Sequence, residues 1–308
     1  MKTAAAARPN ADEPGALVVV EIGGTAVKIG YGVGGAPMEF ARTFPTSRIR
    51  CATPVLALAA LVREAGAEAG LAPAHAVATV PGFIGLDQDQ VLNAANIPEI
   101  NGLALASELR QALGIPVRLE RDVVLQLLGE HRAGAVQGEN HVLAVYIGTG
   151  IGAAYLGEGV IFRGGGWALE IGHMPMHGLG RSLPGLTRDS LETYASGRTL
   201  VELAGRHGVA VNHIFSAGRT DPALRAALAD ILRDQAFAIA SAIALLSPRI
   251  VLLGGGVVEM IDYPRAELAA IIAEHLPLPS SIRPLDLRWA RLGWQAAIWG
   301  AIGLARKG

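Results

Sequence analysis

With 308 residues, 51% of them apolar and 17% charged, the chain suits two domains or one large one and can bury a sizeable core. A formal net charge of −1 with no basic block excludes the electrostatic footprint of a nucleic-acid binder and favours a small, uncharged or acidic partner. The one cysteine, Cys51, excludes an intrachain disulfide framework and suits a reducing, cytoplasmic setting.

Residues 1–16 lack the apolar run of a secretory signal and read as a disordered tail. "ALVVVEIGGTAVKIGYG" then passes from a solid apolar strand through Gly23-Gly24-Thr25 into alternation at Val27, Ile29, Tyr31 and Val33, which predicts a β-hairpin with a glycine turn. A strand near Pro37–Thr43 follows. Next comes a helix over Thr53–Gly70, with Thr53 as its cap and Pro54 in its first turn. A strand at His75–Val80 ends in Pro81-Gly82, and the helix "LALASELRQALG" leads to the strand "PVRLE".

There, in "VRLERDVVLQLLGEHRAG", Glu120, Arg121 and Asp122 stand where a strand hands over to a helix. On those residues alone Asp122 is either an N-cap or a residue with a chemical role.

A second hairpin, "LAVYIGTGIGAAYLG", occupies Leu143–Gly157, and its Ile, Gly and closing Gly stand 125 residues beyond those of Val18–Gly32. The repetition predicts an internal duplication giving two related α/β halves with a cleft between them. A strand pair through Arg163 and a Gly/Pro-rich loop from Gly172 to Gly185 follow, then helices near Leu191–His207 and Pro222–Leu246 and the strand "RIVLLGGG". The last segment, "GWQAAIWGAIGLARKG", reads as a helix folding back on the first half. The expected domains are residues 17–121 with 295–308, and residues 122–294. The longest apolar helical run, Ala236–Leu246, is too short to cross a bilayer, so no membrane partner is expected.

Three glycine-rich turns each follow an apolar strand: Gly23-Gly24-Thr25, Gly148-Thr149-Gly150, and Gly254-Gly255-Gly256. Glycine lets backbone amides approach an anion closely, and a threonine hydroxyl adds a donor. Neither a Walker pattern nor a Rossmann fingerprint opens a helix after the first strand, so a phosphate site here is of another type.

These segments together resemble the sugar-kinase branch of the ROK family (repressors, open reading frames, kinases), with the actin-like ATPase fold, from about Val18 onward. "EIGGTAVK" is similar to the family's first phosphate motif, "YIGTGIGAAY" to its second and "VLLGGGVV" to its adenosine-side motif. "VPGFIG", "NAANIP", "ERDV" and "ALEIGHMPM" resemble its sugar-site segments in order. The resemblance implies ATP and Mg²⁺ as cofactors, with Asp122 as the general base that takes the proton of the attacking sugar hydroxyl. It also implies sugar contacts from Gly82, Asn96, Arg121, Glu170, His173 and Glu192, and a homodimer through the second half.

Three features depart from the family pattern. Many members hold a structural zinc with the "GH" histidine and three cysteines. The corresponding loop here has no cysteine, only His173, His177 and Asp189, so no zinc is expected and packing by Leu179, Leu183 and Leu186 is expected to order the loop. Glu21 replaces the usual Asp of the first phosphate motif, where the acid holds Mg²⁺ through water. Arg121 stands where most members have Asn, placing a cation at the sugar rim, and in this "ERDVVLQLLGE" is most similar to the D-allose kinases.

The leading expectation is an ATP-dependent hexose kinase acting on the 6-hydroxyl of a free sugar, with D-allose preferred. The alternatives are a kinase for glucose or N-acetylmannosamine, and a non-catalytic sugar-binding or regulatory ROK protein. A repressor is not expected, since the residues before the first strand are too few for a helix-turn-helix.

Overall fold

The computed structural model describes residues 15–305 apart from Ser280; the expected tail up to residue 14 and the last three residues of the expected terminal helix lie outside them. The described residues divide into one unit of 15–129 with 294–305 and a second within 130–293.

The first unit opens with β1 (Leu17–Ile22), β2 (Ala26–Val33) and β3 (Ala36–Pro45), an antiparallel meander. α1 (Pro54–Ala69) follows, with Pro54 in its first turn and Gly70 closing it in the left-handed conformation. Thr53 does stand at the cap position, but its side chain makes no capping bond. Then come β4 (His75–Thr79), the small hairpin β5 (Phe83–Ile84) with β6 (Val91–Asn93), α2 (Leu105–Leu113), β7 (Val117–Glu120) and α3 (Asp122–Ala133). The sheet order is β3-β2-β1-β4-β7, with β1, β4 and β7 parallel. β1 is apolar from Leu17 through Val20 because both its faces are covered. Val18, Val20 and Ile22 pack with α1 residues such as Leu58 and Leu61, while Leu17 and Val19 join Leu125 of α3.

The second unit repeats this plan. It contains β8 (Val142–Ile147), β9 (Ile151–Gly157), β10 (Val160–Ile161), α4 (Leu191–Ala195), α5 (Gly197–His207), α6 (Ile214–Ala217), α7 (Pro222–Leu246), β11 (Ile250–Gly254), α8 (Arg265–Glu274) and β12 (Leu287–Trp289). Its sheet order, β10-β9-β8-β11-β12, matches the first unit strand for strand, with β8, β11 and β12 parallel. The two hairpins differ in one respect. Ile22 pairs with Val27 but Ile147 pairs with Ile151, so the first turn is one residue longer and the closing glycines do not occupy equivalent register positions. α7 is capped by Asp221, whose Oδ1 accepts from the amides of Ala223 and Leu224.

The chain then returns to the first unit as α9 (Gln295–Ala305). Glycine makes its close packing possible. A Cβ on Gly30 or Gly32 of β2 would strike Trp294 or Ile302, one on Gly129 would lie 1.9 Å from the Ala296 carbonyl oxygen, and one on Gly300 would lie 2.1 Å from that of Leu125. α3 and α9 therefore meet backbone to backbone. The division between units falls inside α3, past the expected boundary at Asp122, so Asp122 stands in the first unit. No helix among the described residues is long and apolar enough to cross a membrane.

Two substitutions in α9 are expected to act with opposite sign. Gly300→Ala should cost about 1–3 kcal/mol through backbone overpacking. Gly303→Ala, whose Cβ would meet nothing within 4 Å, should stabilise by up to ~1 kcal/mol through helix propensity. Urea midpoints of the two variants check this.

Candidate functional site

In the first unit the candidate residues share one edge of the sheet because parallel strands end together. Glu21, Thr79 and Glu120 are register partners across β1, β4 and β7. Beyond them the chain continues into Gly23–Thr25, Gly82 and Asp122 respectively.

The first glycine turn is held by one short segment. Thr46 Oγ1 donates to the Gly23 carbonyl (2.6 Å), Arg50 Nη2 to that of Gly24 (3.2 Å), and the Thr46 amide to that of Thr25 (2.9 Å). A trans peptide points its N–H away from its C=O. With the Gly23 and Gly24 carbonyls turned to this brace, the amides of Gly24 and Thr25 face the opposite way, as an anion cradle needs. Neither Thr46 nor Arg50 announces itself in the sequence, since neither lies in a glycine motif.

Arg50 Nη2 also donates to the Asn96 carbonyl at 2.5 Å, and a Cβ on Gly24 would lie 3.0 Å from that of Asn96. The Asn96 loop is set by Gly82, where any side chain would lie 2.0 Å from the Asn93 carbonyl oxygen, and by Asn101, whose Oδ1 accepts from the Ala94 amide at 2.6 Å. The turn and the Asn96 loop thus touch.

The three charges at the β7–α3 junction separate cleanly. Glu120 is fully buried, accepting from Gln88 Nε2 and the Arg121 amide, both at 3.0 Å. Arg121 is buried rather than placed on an open rim, and its carbonyl accepts from the amides of Val124 and Leu125. That makes Arg121 the cap residue and Asp122 the first residue of the helix. Asp122 reaches solvent, and its Oδ1 accepts from the adjacent Val123 amide at 2.7 Å.

The surrounding protein raises the Asp122 pKa by desolvation, opposed by the Val123 amide and the Arg121 charge. Glu21 follows Leu17 and Val19 on the face of β1 that packs against α3. Its pKa is raised by desolvation and by Asp122, and lowered by Lys28, its partner across the hairpin. Lys28 Nζ lies 3.9 Å from the centroid of the Trp294 ring.

The second unit carries the other two turns, again at the ends of parallel strands. Its organiser is Glu192, which the sequence marks only as a sugar contact. Glu192 Oε1 accepts from the Ile151 amide at 2.6 Å, and the carboxylate fills the space a side chain would need at Gly150. A Cβ on Gly172 would lie 2.3 Å from the Ile151 carbonyl oxygen and 2.8 Å from Glu192 Cγ, so the segment carrying Glu170 and His173 is pressed on the same turn. The helix expected over Leu191–His207 breaks at Ser196, which is extended. The break lets the Gly197 amide reach the Gly148 carbonyl at 2.8 Å, where a side chain on Gly197 would not fit. Thr149 is exposed at the tip of the turn.

At the third turn, Gly255 has φ of +96° and no room for a Cβ against Ile147, while nothing stands near Gly256. The following segment borders a cavity of about 650 Å³ lined by Phe215, Arg219, Asp262, Tyr263 and Arg265 among others. Asp262 is held there by Arg219 at 2.9 Å and Ser216 Oγ at 2.5 Å.

The loop after His173 is ordered chiefly by Asp189, and Leu179 is 79% exposed rather than packed. Asp189 Oδ1 accepts from the Arg181 amide (2.8 Å) and Tyr194 OH (2.6 Å), and Oδ2 from the Gly180 amide (3.0 Å). These donors hold its pKa below the ordinary value, the Tyr194 hydroxyl most of all. His177 Nε2 bonds the buried Asp234 at 2.9 Å, and His173 Nδ1 bonds Thr187 Oγ1 at 2.9 Å. Among the described residues no three His, Cys, Asp or Glu are grouped to hold a metal.

Two outcomes are expected. A carboxyl whose pKa is raised by folding keeps a proton that the unfolded chain has lost, so its contribution to stability falls as pH rises through that window and stays lost above it. Asp122→Asn should therefore raise the melting temperature of the ligand-free protein at neutral pH, with the gain vanishing below the ordinary carboxylate range; calorimetry across pH reads this. Asp189→Ala should make loop 172–190 sensitive to limited proteolysis, whereas a chelator should leave the wild-type loop and melting temperature unchanged.

Comparison with known proteins places this arrangement. The model of the ROK family matches residues 17–308. The chain is 28% identical to a glucokinase of Thermotoga maritima over 246 residues, covering 74% of this chain and 77% of that protein. It is 27% identical to a glucokinase of Streptomyces coelicolor, covering 95% and 98%. The crystal structure of a ROK family glucokinase from Streptomyces griseus, in complex with glucose and AMPPNP, superposes with a TM-score of 0.80 at 27% identity, covering 96% of this chain and all of that one.

Proposed function

The chain belongs to the ROK family, with its actin-like ATPase fold, and is an ATP-dependent carbohydrate kinase; from that premise we propose that it transfers the γ-phosphoryl group of ATP to the 6-hydroxyl of a free hexose, D-allose preferred. The observation that carries the chemistry is Asp122. It is a solvent-reaching carboxylate at the start of α3, beside the glycine turn's strand and with its pKa raised by its surroundings. A base of that kind takes the proton of a sugar hydroxyl as it attacks, and gains driving force from the raised pKa.

Asn96, Gly82 and Arg121 in the first unit, with Glu170, His173 and Glu192 in the second, serve the sugar. Glu192 does so through the turn it supports. The turns at Gly23–Thr25, Gly148–Gly150 and Gly254–Gly256 serve the phosphates. The cavity beside Tyr263 has the volume and mixed lining of a nucleoside site.

The donor set fits a magnesium ion. Glu21 and Asp122 are two carboxyl groups near enough that the Asp122 charge adds to the desolvation raising the Glu21 pKa, and a carboxylate acting through water is the kind of ligand Mg²⁺ keeps beside phosphate oxygens. Bound there, the ion would neutralise charge on the transferring phosphoryl group. The preference for D-allose rests on Arg121, which stands where most members have Asn and, being buried, acts on the sugar through the start of α3 and the adjacent Asp122; the glucokinase relatives make glucose the substrate to set beside it.

Activity on a hexose panel with Mg-ATP, read by coupled ADP release, tests the reading. Turnover should be lost by roughly two to four decades in Asp122→Asn while hexose binding persists. Arg121→Asn should lower the ratio of kcat/KM for allose to that for glucose. Folded wild-type protein that binds hexose and leaves ATP intact would make this a binding or regulatory member of the family instead.

A further inference from the structure

We propose that Arg50 is a positioning residue that couples sugar binding at the Asn96 loop to nucleotide-phosphate binding at the Gly23–Thr25 turn; this rests on the kinase reading above. Nothing in the sequence motifs marks Arg50, which follows the short 3-10 turn Thr46–Ile49. Its single Nη2 donates at once to the carbonyls of Gly24 and Asn96, at 3.2 and 2.5 Å. Its Nη1 lies 3.9 Å from Glu99 Oε1, three residues beyond Asn96, so the guanidinium is held from both sides of that loop.

The consequence follows from peptide geometry. The Gly24 carbonyl belongs to the same rigid plane as the Thr25 amide, so the group that fixes one aims the other. A hexose that hydrogen-bonds the Asn96 side chain restricts the loop backbone. That restriction passes through one nitrogen to the plane carrying the Thr25 amide. Sugar and phosphate then each favour the same setting of a shared element, which is what a coupling free energy requires. Thr46 holds the other two turn carbonyls, and both of those bonds end on the turn, so they brace it without reaching the sugar loop.

The test is a binding cycle on the full chain by calorimetry. A non-hydrolysable ATP analogue with Mg²⁺ is titrated with and without saturating D-glucose, and again with D-allose. For the wild type, sugar should tighten analogue binding by about 5–150-fold. In Arg50→Ala the ratio should fall close to unity while each ligand still binds alone. Arg50→Lys keeps the charge but loses the fork and should give an intermediate ratio; it carries the comparison if the alanine variant does not fold.

A purely structural role would weaken both ligands and leave the ratio intact. An unchanged ratio in either folded variant, or no coupling in a wild type that turns over hexose, overturns the inference and leaves the kinase reading standing. A wild type that neither binds nor phosphorylates any hexose overturns the reading, and the inference with it.

Discussion

Parallel strand pairing is the constraint on which the rest of each unit depends. Strands that run the same way deliver their carboxyl ends to one edge, and in open α/β sheets ligands gather beyond that edge. In the first unit this brings Glu21, the Gly23–Thr25 turn, Gly82 and Asp122 together although they span a hundred residues of chain, with the row Glu21, Thr79, Glu120 as the register that aligns them. A slip of β4 by one position would carry Thr79 to the other face and break the row. The same order of strands in the second unit delivers the turns after β8 and β11 to one edge by the same rule.

Charge at that edge is arranged at a cost. Desolvation disfavours the ionised forms of both Glu21 and Asp122, the Asp122 charge adds to it at Glu21, and Lys28 across the hairpin offsets only part of it there. Its own charge is disfavoured by burial, and it lies against Trp294. The buried Glu120 next door differs in being satisfied by Gln88 and a backbone amide.

What was legible in the sequence was whatever leaves a local mark. Glycine turns show because close backbone approach excludes other residues, and the strands and the α7 helix show through their apolar pattern. The duplication showed through Ile, Gly and Gly at constant spacing, although the one-residue difference in turn length did not. Hidden were the partners brought by tertiary contact. Asp189 as the hub of its loop and Glu192 as the prop of the second turn were invisible as such, because an acid in a loop has the same local signature whatever it accepts from. The break at Ser196 is also hidden, since "SGRTLVELAGRH" continues a helical pattern, and what holds the junction is tertiary and local bonding: the Gly197 amide on the Gly148 carbonyl and Thr199 Oγ1 on the carbonyls of Glu192 and Thr193. Leu179 illustrates the converse: apolar in sequence and assigned to packing, it stands in solvent because polar bonds already order the loop.

The route of the chain through α9 has a consequence for synthesis on the ribosome. Leu17, Val19 and Val77 are among the first core residues made, yet the surface that covers them, Ala297, Ile298, Ala301 and Ile302, is among the last. Residues 130–293 form one uninterrupted stretch and can fold as soon as they emerge. The amino-terminal sheet must wait throughout that time with Leu125 of α3, but none of α9, on that face. Vectorial synthesis thus inverts the order of completion: the sheet begun first is finished last.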